Sequence, residues 1–330
     1  LLHTWPRELL LITGAPFHIW QAVPIFIIIA GYVGALSYKR HQNSTLLQLY
    51  SIRLLSRRIK RIIVPFIVVF TIQIIYIYIY IYIYIYPDVG PIQITNIITS
   101  FISGGHGPGS YFVPLIIQHI LILPILYVWI IKYPKYFIPL TFLISLTLEQ
   151  LMILLSVPVD VYRLLYIRYF FAGALGVWLA INHKTPIKIL ILGALLSSIY
   201  IFVVNYLNYQ PSFIYPAWSS QHSPSYLWTL LIIVAGISYF PEDATNLIQS
   251  LIKKLGQASW HIFLVQMTYF WILGSHVKSF FFSGLSYPIS FDIQTLTEIS
   301  LKVSTLSVLN LVICLYIGYI FHKKSLHSAT

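Results

Sequence analysis

Charge is what this sequence has least of. Only 8% of its 330 residues are Asp, Glu, Lys or Arg, against roughly 25% in an ordinary soluble domain. Eight residues in all are acidic. So thin a polar coat excludes a water-soluble globule. With 58% hydrophobic residues and a mean hydropathy of +0.82, the composition calls for a polytopic membrane protein. Cysteine is nearly absent too. Cys314 stands alone in an apolar run, which excludes a disulfide framework and a cysteine metal site. There is no GxSxG elbow, no Walker loop and no HExxH pair. His106, His222, His276 and His327 sit in loops or the tail without ligand spacing, so no metal is expected. No cleavable signal peptide is visible.

What is present is a series of long apolar runs. They are continuous, unlike the weak alternation of a transmembrane barrel, so the fold class is all-α, a polytopic transmembrane helix bundle. A span needs about 20 mostly apolar residues. Full spans are expected at His18–Ser37, Ile62–Tyr86, Tyr111–Ile131, Tyr136–Ser156, Arg163–Ile181, Pro186–Asn205, Tyr226–Phe240, Ser259–Gly274 and Ser300–Phe321. That gives about nine full spans. Leu1–Thr4 reads as the tail of a first span, so residues 1–330 are expected to be one N-terminally truncated domain.

Basic residues order these spans. The Lys39–Arg61 stretch, Lys132 with Lys135, Lys184 with Lys188, Lys253 with Lys254, and Lys323 with Lys324 are expected to face the cytoplasm. They alternate with loops 87–110, 157–162, 206–225 and 275–299, which hold few Lys or Arg. The alternation puts the C-terminus in the cytoplasm and the Leu1–Phe17 piece outside. The formal net charge of +12 therefore reflects basic loops, with no nucleic-acid partner implied.

One segment is of low complexity. Residues 75–86 alternate Ile and Tyr. Period two normally argues for a strand, but a lone strand in lipid leaves its backbone unpaired, so a helix is expected. An alternating AT dinucleotide repeat reads as Ile–Tyr codons, so replication slippage in an AT-rich gene would produce this pattern, and no chemical role is expected of it.

The densest charge is Tyr50–Phe66, YSIRLLSRRIKRIIVPF, with Arg53, Arg57, Arg58, Lys60 and Arg61. Taken alone it is either a topology anchor or a seat for a phosphorylated cofactor. Within the spans, ionisable and polar groups are functional candidates by default: Gln118 and His119, Glu149, and Arg168. Glu149 and Arg168 belong to one hairpin and are placed to pair. The plainer alternatives are a structural ion pair for those two and a packing histidine for His119.

Four blocks together carry a resemblance. PFHIWQAVPIFIIIAGYVGALSYK (16–39), RRIKRIIVPF (57–66), GPGSYFVPLIIQHILILPILY (107–127) and LGQASWHIFLVQMTYF (255–270) resemble, in order, segments of the integral-membrane acyltransferase-3 family. Arg58, Arg61 and Pro65 match that family's Arg-x-x-Arg motif and the Pro after it. His3 matches the His of its Arg-x10-His motif, whose Arg would fall before Leu1. The resemblance implies an acyl-CoA-dependent O-acyltransferase of the plasma membrane. It would move an acyl group, acetyl foremost, from cytosolic acyl-CoA to a hydroxyl of a cell-surface glycan or polysaccharide. It makes His3 the catalytic base and gives Arg58 and Arg61 the coenzyme A phosphates. Gln118, His119, Glu149 and Arg168 become pore or support residues. Two other readings stay open from the residues alone: a multi-span transporter or flippase for a glycan-lipid or small metabolite, and an inactive truncated chain.

Overall fold

A computed structural model describes residues 7–40, 45–80, 93–182, 187–240, 243, 245–274 and 293–327. Among these, the regular structure is helical, with no strand. Its helices are α1 (Arg7–Ile12), α2 (Ala22–Arg40), α3 (Leu46–Leu49), α4 (Ile52–Ile79), α5 (Ile94–Ile102), α6 (Phe112–Lys132), α7 (Phe137–Leu154), α8 (Val159–Tyr162), α9 (Phe170–Ile181), α10 (Ile187–Tyr206), α11 (Tyr226–Tyr239), α12 (Leu247–Ile272) and α13 (Ile293–His327).

Among the described residues a helix forms at each of the nine expected places, and six helical stretches are long and apolar enough to cross a membrane. They are Ala15–Arg40, Leu46–Ile79, Phe112–Lys132, Phe137–Leu154, Ile187–Tyr206 and Ser304–Ser325. The other three depart for visible reasons. Tyr166–Ile181 and Ser223–Tyr239 are apolar but short. Helix α12 is long, yet its first half carries Gln249, Lys253, Lys254 and Gln257. The Ile–Tyr repeat is helical as far as Ile79, and Tyr76 stacks on Tyr80 at 5.3 Å, the four-residue spacing of a helix face. Its remainder, and His3, lie outside the described residues.

Contacts divide the chain into two units. The first comprises residues 7–60 and 114–241. Its centre is the seam between α2 and α9, where small residues let the backbones meet. A Cβ on Gly176 would lie 2.0 Å from the Ile28 carbonyl oxygen, and one on Gly31 would lie 2.6 Å from that of Gly173. Around the seam, Ala35, Tyr38, Leu49, Leu123, Leu126, Tyr127, Ile130, Phe137, Ala174, Val177 and Ala180 form a buried cluster.

The second unit comprises residues 61–113 and 242–330. Helices α12 and α13 pack together there, Gly318 lying against Ile262 and Tyr269 donating to Asn310 at 2.6 Å. In the loop after α5, Gly104, Gly105, Gly107 and Gly109 all take positive φ, between 84° and 104°. The turn is thus built from left-handed residues. Gln73 holds it: its amide oxygen accepts from the His106 backbone at 2.9 Å, and its nitrogen donates to the His106 carbonyl and to Thr268, each at 2.9 Å.

Candidate functional site

The basic stretch is the start of α4, after a capping box in which Thr45 and Gln48 bond each other's backbone N–H. Its arginines are not equivalent. Arg53, Arg57 and Arg61 are exposed, as is Lys60. Arg58 is half-buried, with its guanidinium over the face of the Tyr38 ring, 4.2 Å from the centroid. Tyr38 is fully buried on α2 and packs against Tyr127 of α6. The planar guanidinium suits that stacked seat in a way an ammonium does not. Of the two matched arginines, Arg58 is therefore fixed by the fold and Arg61 is held only by its helix.

His119 on α6 is buried, and its Nδ1 lies 2.7 Å from the Tyr166 hydroxyl. Its Nε2 is buried and makes no hydrogen bond among the described residues. Next to it, Gln118 donates to the Leu164 carbonyl at 2.6 Å and accepts from the Tyr166 backbone at 3.0 Å. Both side chains thus fasten α6 to the Leu164–Tyr166 segment. Arg58, His119 and Gln118 all lie in the first unit.

Glu149 and Arg168 are both fully buried, but they do not form the direct pair that the hairpin suggested. Tyr162 stands between them. Its hydroxyl lies 2.7 Å from both Glu149 oxygens, while its ring lies under the Arg168 guanidinium at 5.7 Å. The partner of Glu149 is His222, Nδ1 to Oε1 at 3.1 Å. The Tyr215 backbone N–H approaches the other carboxylate oxygen at 3.4 Å. Arg168 packs against the Tyr169 and Trp218 rings at 4.5 and 4.7 Å and donates from Nη2 to the Tyr169 oxygen at 2.7 Å. Burial and then the Glu149 charge push the Tyr162 hydroxyl pKa well up, so it stays a donor.

The protons of the Glu149–His222 pair follow from its partners. His222 Nε2 lies 2.8 Å from the Ala217 carbonyl, which can only accept, so Nε2 carries a hydrogen. One more proton then sits between Nδ1 and Oε1. The pair is neutral as a whole.

His222, Tyr162, Tyr215, Trp218 and Gln221 are the members sequence reasoning missed. The signal is faint: loop 206–225 holds no Lys or Arg, and His222 lies in it without ligand spacing. What fixes their importance is proximity to Glu149, which His222 reaches across 73 positions of chain.

In the second unit, His106 stacks on Trp271 at 4.9 Å, and burial lowers its pKa. Among the described residues, no three His, Cys, Asp or Glu side chains gather as a metal site would require.

Compared with known proteins, neither a curated protein nor a solved structure matches this chain. A protein family does. The family described as an acyltransferase domain, of the acyltransferase-3 type, matches residues 4–322. That span holds Arg58 on its Tyr38 seat, the Gln118–His119 tie and the Glu149–His222 core. With six helices among the described residues long and apolar enough to cross a membrane, this is a multi-pass membrane protein, and it belongs to the acyltransferase-3 family.

Proposed function

We propose that the chain transfers an acyl group, acetyl foremost, from cytosolic acyl-CoA to a hydroxyl of a cell-surface glycan or polysaccharide. The observation that carries this reading is the seat of Arg58. A guanidinium held on a buried ring, in a helix turn that also exposes Arg57, Lys60 and Arg61, suits the phosphates of coenzyme A. Basic loops are expected on the cytoplasmic side, where acyl-CoA is made, and the C-terminus with them. In the reaction the acceptor oxygen bonds to the acyl carbon, the carbon–sulfur bond breaks, and the hydroxyl proton leaves through a base to the thiolate. His3 is the residue proposed as that base, a task to which histidine is suited at neutral pH. Gln118, His119, Glu149 and Arg168 support the helices around that route.

The test uses the full chain in lipid nanodiscs with acetyl-CoA and a surface-polysaccharide acceptor, following free thiol release. Arg58→Ala and Arg61→Ala each remove a charge-assisted phosphate contact worth about 1.5–3 kcal/mol, so CoA binding is expected to weaken roughly 10- to 150-fold. Acceptor-dependent thiol release should fall with it, while membrane insertion is unchanged. Wild-type CoA affinity in both variants would remove the arginines from cofactor binding.

A further inference from the structure

We propose that Tyr38 is a positioning residue for coenzyme A binding. Its ring holds the Arg58 guanidinium in place without cancelling the charge, so the arginine meets phosphate already oriented. The proposal rests on the acyl-CoA reading above, in which Arg58 binds the coenzyme A phosphates.

An arginine can be held in two ways. A carboxylate grips it in a bidentate ion pair and neutralises it. An aromatic face attracts it through the ring quadrupole and leaves the positive charge whole. Arg58 is held in the second way, its guanidinium carbon 4.2 Å from the Tyr38 centroid. The sequence offers no carboxylate nearby in the chain, for no Asp or Glu occurs between Glu8 and Asp88. Asp160 and Glu149 are paired elsewhere, with Arg163 and His222.

The ring serves as a seat because it is itself fixed. Tyr38 is fully buried in the last turn of α2. Tyr127 of α6 packs against it, with 5.2 Å between ring centroids and a 58° tilt. The approach to α4 is tied to α6 as well, the Tyr50 hydroxyl donating to the Leu121 carbonyl at 2.6 Å. Three helices therefore set where the Arg58 guanidinium lies. Arg57, Lys60 and Arg61 differ in this respect. They are exposed, and a phosphate that binds them must first order a long side chain, at a cost in rotamer entropy. At Arg58 the fold has done that ordering.

Two consequences separate this role from that of a tyrosine that merely fills the core. The hydroxyl is dispensable, because a phenyl face attracts a cation too. The effect on binding also runs through Arg58 alone, so it vanishes once that arginine is gone. A lysine is no substitute at position 58, since it lacks both the planar face that stacks and the fork that grips phosphate.

Equilibrium binding of coenzyme A to the full chain in lipid nanodiscs tests the role. Tyr38→Leu removes the ring, and binding must then supply the ordering that the cation–π contact supplied. Affinity should fall about 5- to 30-fold. Tyr38→Phe should stay within about twofold of the native chain. In an Arg58→Ala background, Tyr38→Leu should lower affinity by less than about twofold further. An equal loss with and without Arg58 would make Tyr38 structural only and overturn the proposal. If Tyr38→Leu fails to insert, Arg58→Lys carries the test. It should bind at least about fivefold more weakly, and native affinity would mean that charge alone suffices, which also overturns the seat. A second readout needs no coenzyme A. Phenylglyoxal modifies guanidinium groups, and peptide mass spectrometry reads each site. Arg58 should react more slowly than the exposed Arg61. Tyr38→Leu should speed Arg58 at least about fivefold and leave Arg61 within about twofold. Unchanged coenzyme A affinity in a folded Tyr38→Leu chain, or unchanged Arg58 modification, overturns the role of Tyr38 and leaves the acyl-CoA reading standing. Absence of coenzyme A binding by the native chain overturns both.

Discussion

Replacing Glu149 separates a shared-proton pair from an ordinary buried carboxylate. Glu149→Ala leaves the Tyr162 hydroxyl, the Tyr215 N–H and His222 Nδ1 facing a void, all in a fully buried site. Removing one member of a buried ion pair costs about 3–5 kcal/mol. That is a large part of the roughly 5–15 kcal/mol that holds a typical protein folded. For a unit of this size it corresponds to a melting temperature lower by roughly 6–20 °C. Glu149→Gln is a different perturbation. The amide oxygen can still accept from Tyr162. The amide nitrogen can donate to His222 Nδ1, because the Nε2 hydrogen stays on the Ala217 carbonyl. The neutral pair is rebuilt with an amide hydrogen in place of the shared proton and a second amide hydrogen to seat, and the cost should be about 1–2 kcal/mol, the worth of an imperfect hydrogen bond. Thermal unfolding of detergent-purified protein, followed by aggregation-independent fluorescence, measures both. Equal destabilisation by Gln and Ala would refute the proton assignment, and a stable Glu149→Ala would refute the pair's structural weight.

Two further outcomes follow from the same coordinates. Gly176→Leu should destabilise the first unit by several kcal/mol, because even a Cβ lies 2.0 Å from the Ile28 carbonyl; folded yield after solubilisation checks it. His106 has a pKa depressed by burial below its ordinary 6.5, so its native state disfavours the protonated form. The stability it permits is therefore complete above pH 6.5 and is lost as pH falls through and below that value. His106→Phe, which keeps a ring on Trp271, should flatten the melting temperature against pH in that range, and a profile as steep as the native one would deny the linkage.

Helices were the legible part of this chain, because a continuous apolar run in so uncharged a sequence has few other fates. The boundaries were less so. Helix α4 begins ten residues before its apolar run, since Arg, Lys and Leu in the basic turns are themselves good helix formers. The Arg58 position was legible through its motif, but its seat on Tyr38 was not, for nothing in the spacing says which ring will meet it. Glu149 and Arg168 show the limit most clearly. They were identified as important from charge within a span, and they are buried; their partners were misjudged because the hairpin suggested the nearest opposite charge. His222, the partner of Glu149, and Trp218, which packs on Arg168, arrive from loop 206–225, which carries no Asp, Glu, Lys or Arg. Donor and acceptor accounting needs three dimensions.

The Ile–Tyr repeat carries a consequence of its own. In-frame slippage adds or removes two residues at a time. One such unit lengthens a helix by about 3 Å and turns whatever follows it by about 200°. Two units lengthen it by about 6 Å, but bring the face back to within about 40°. Upstream groups such as Gln73 keep their place in either case, because the repeat only extends away from them. The segment is thus a ratchet between generations. Length variants in steps of four residues preserve the stacking of Tyr76 on Tyr80 along one face, while steps of two turn the following residues to the opposite side of the helix.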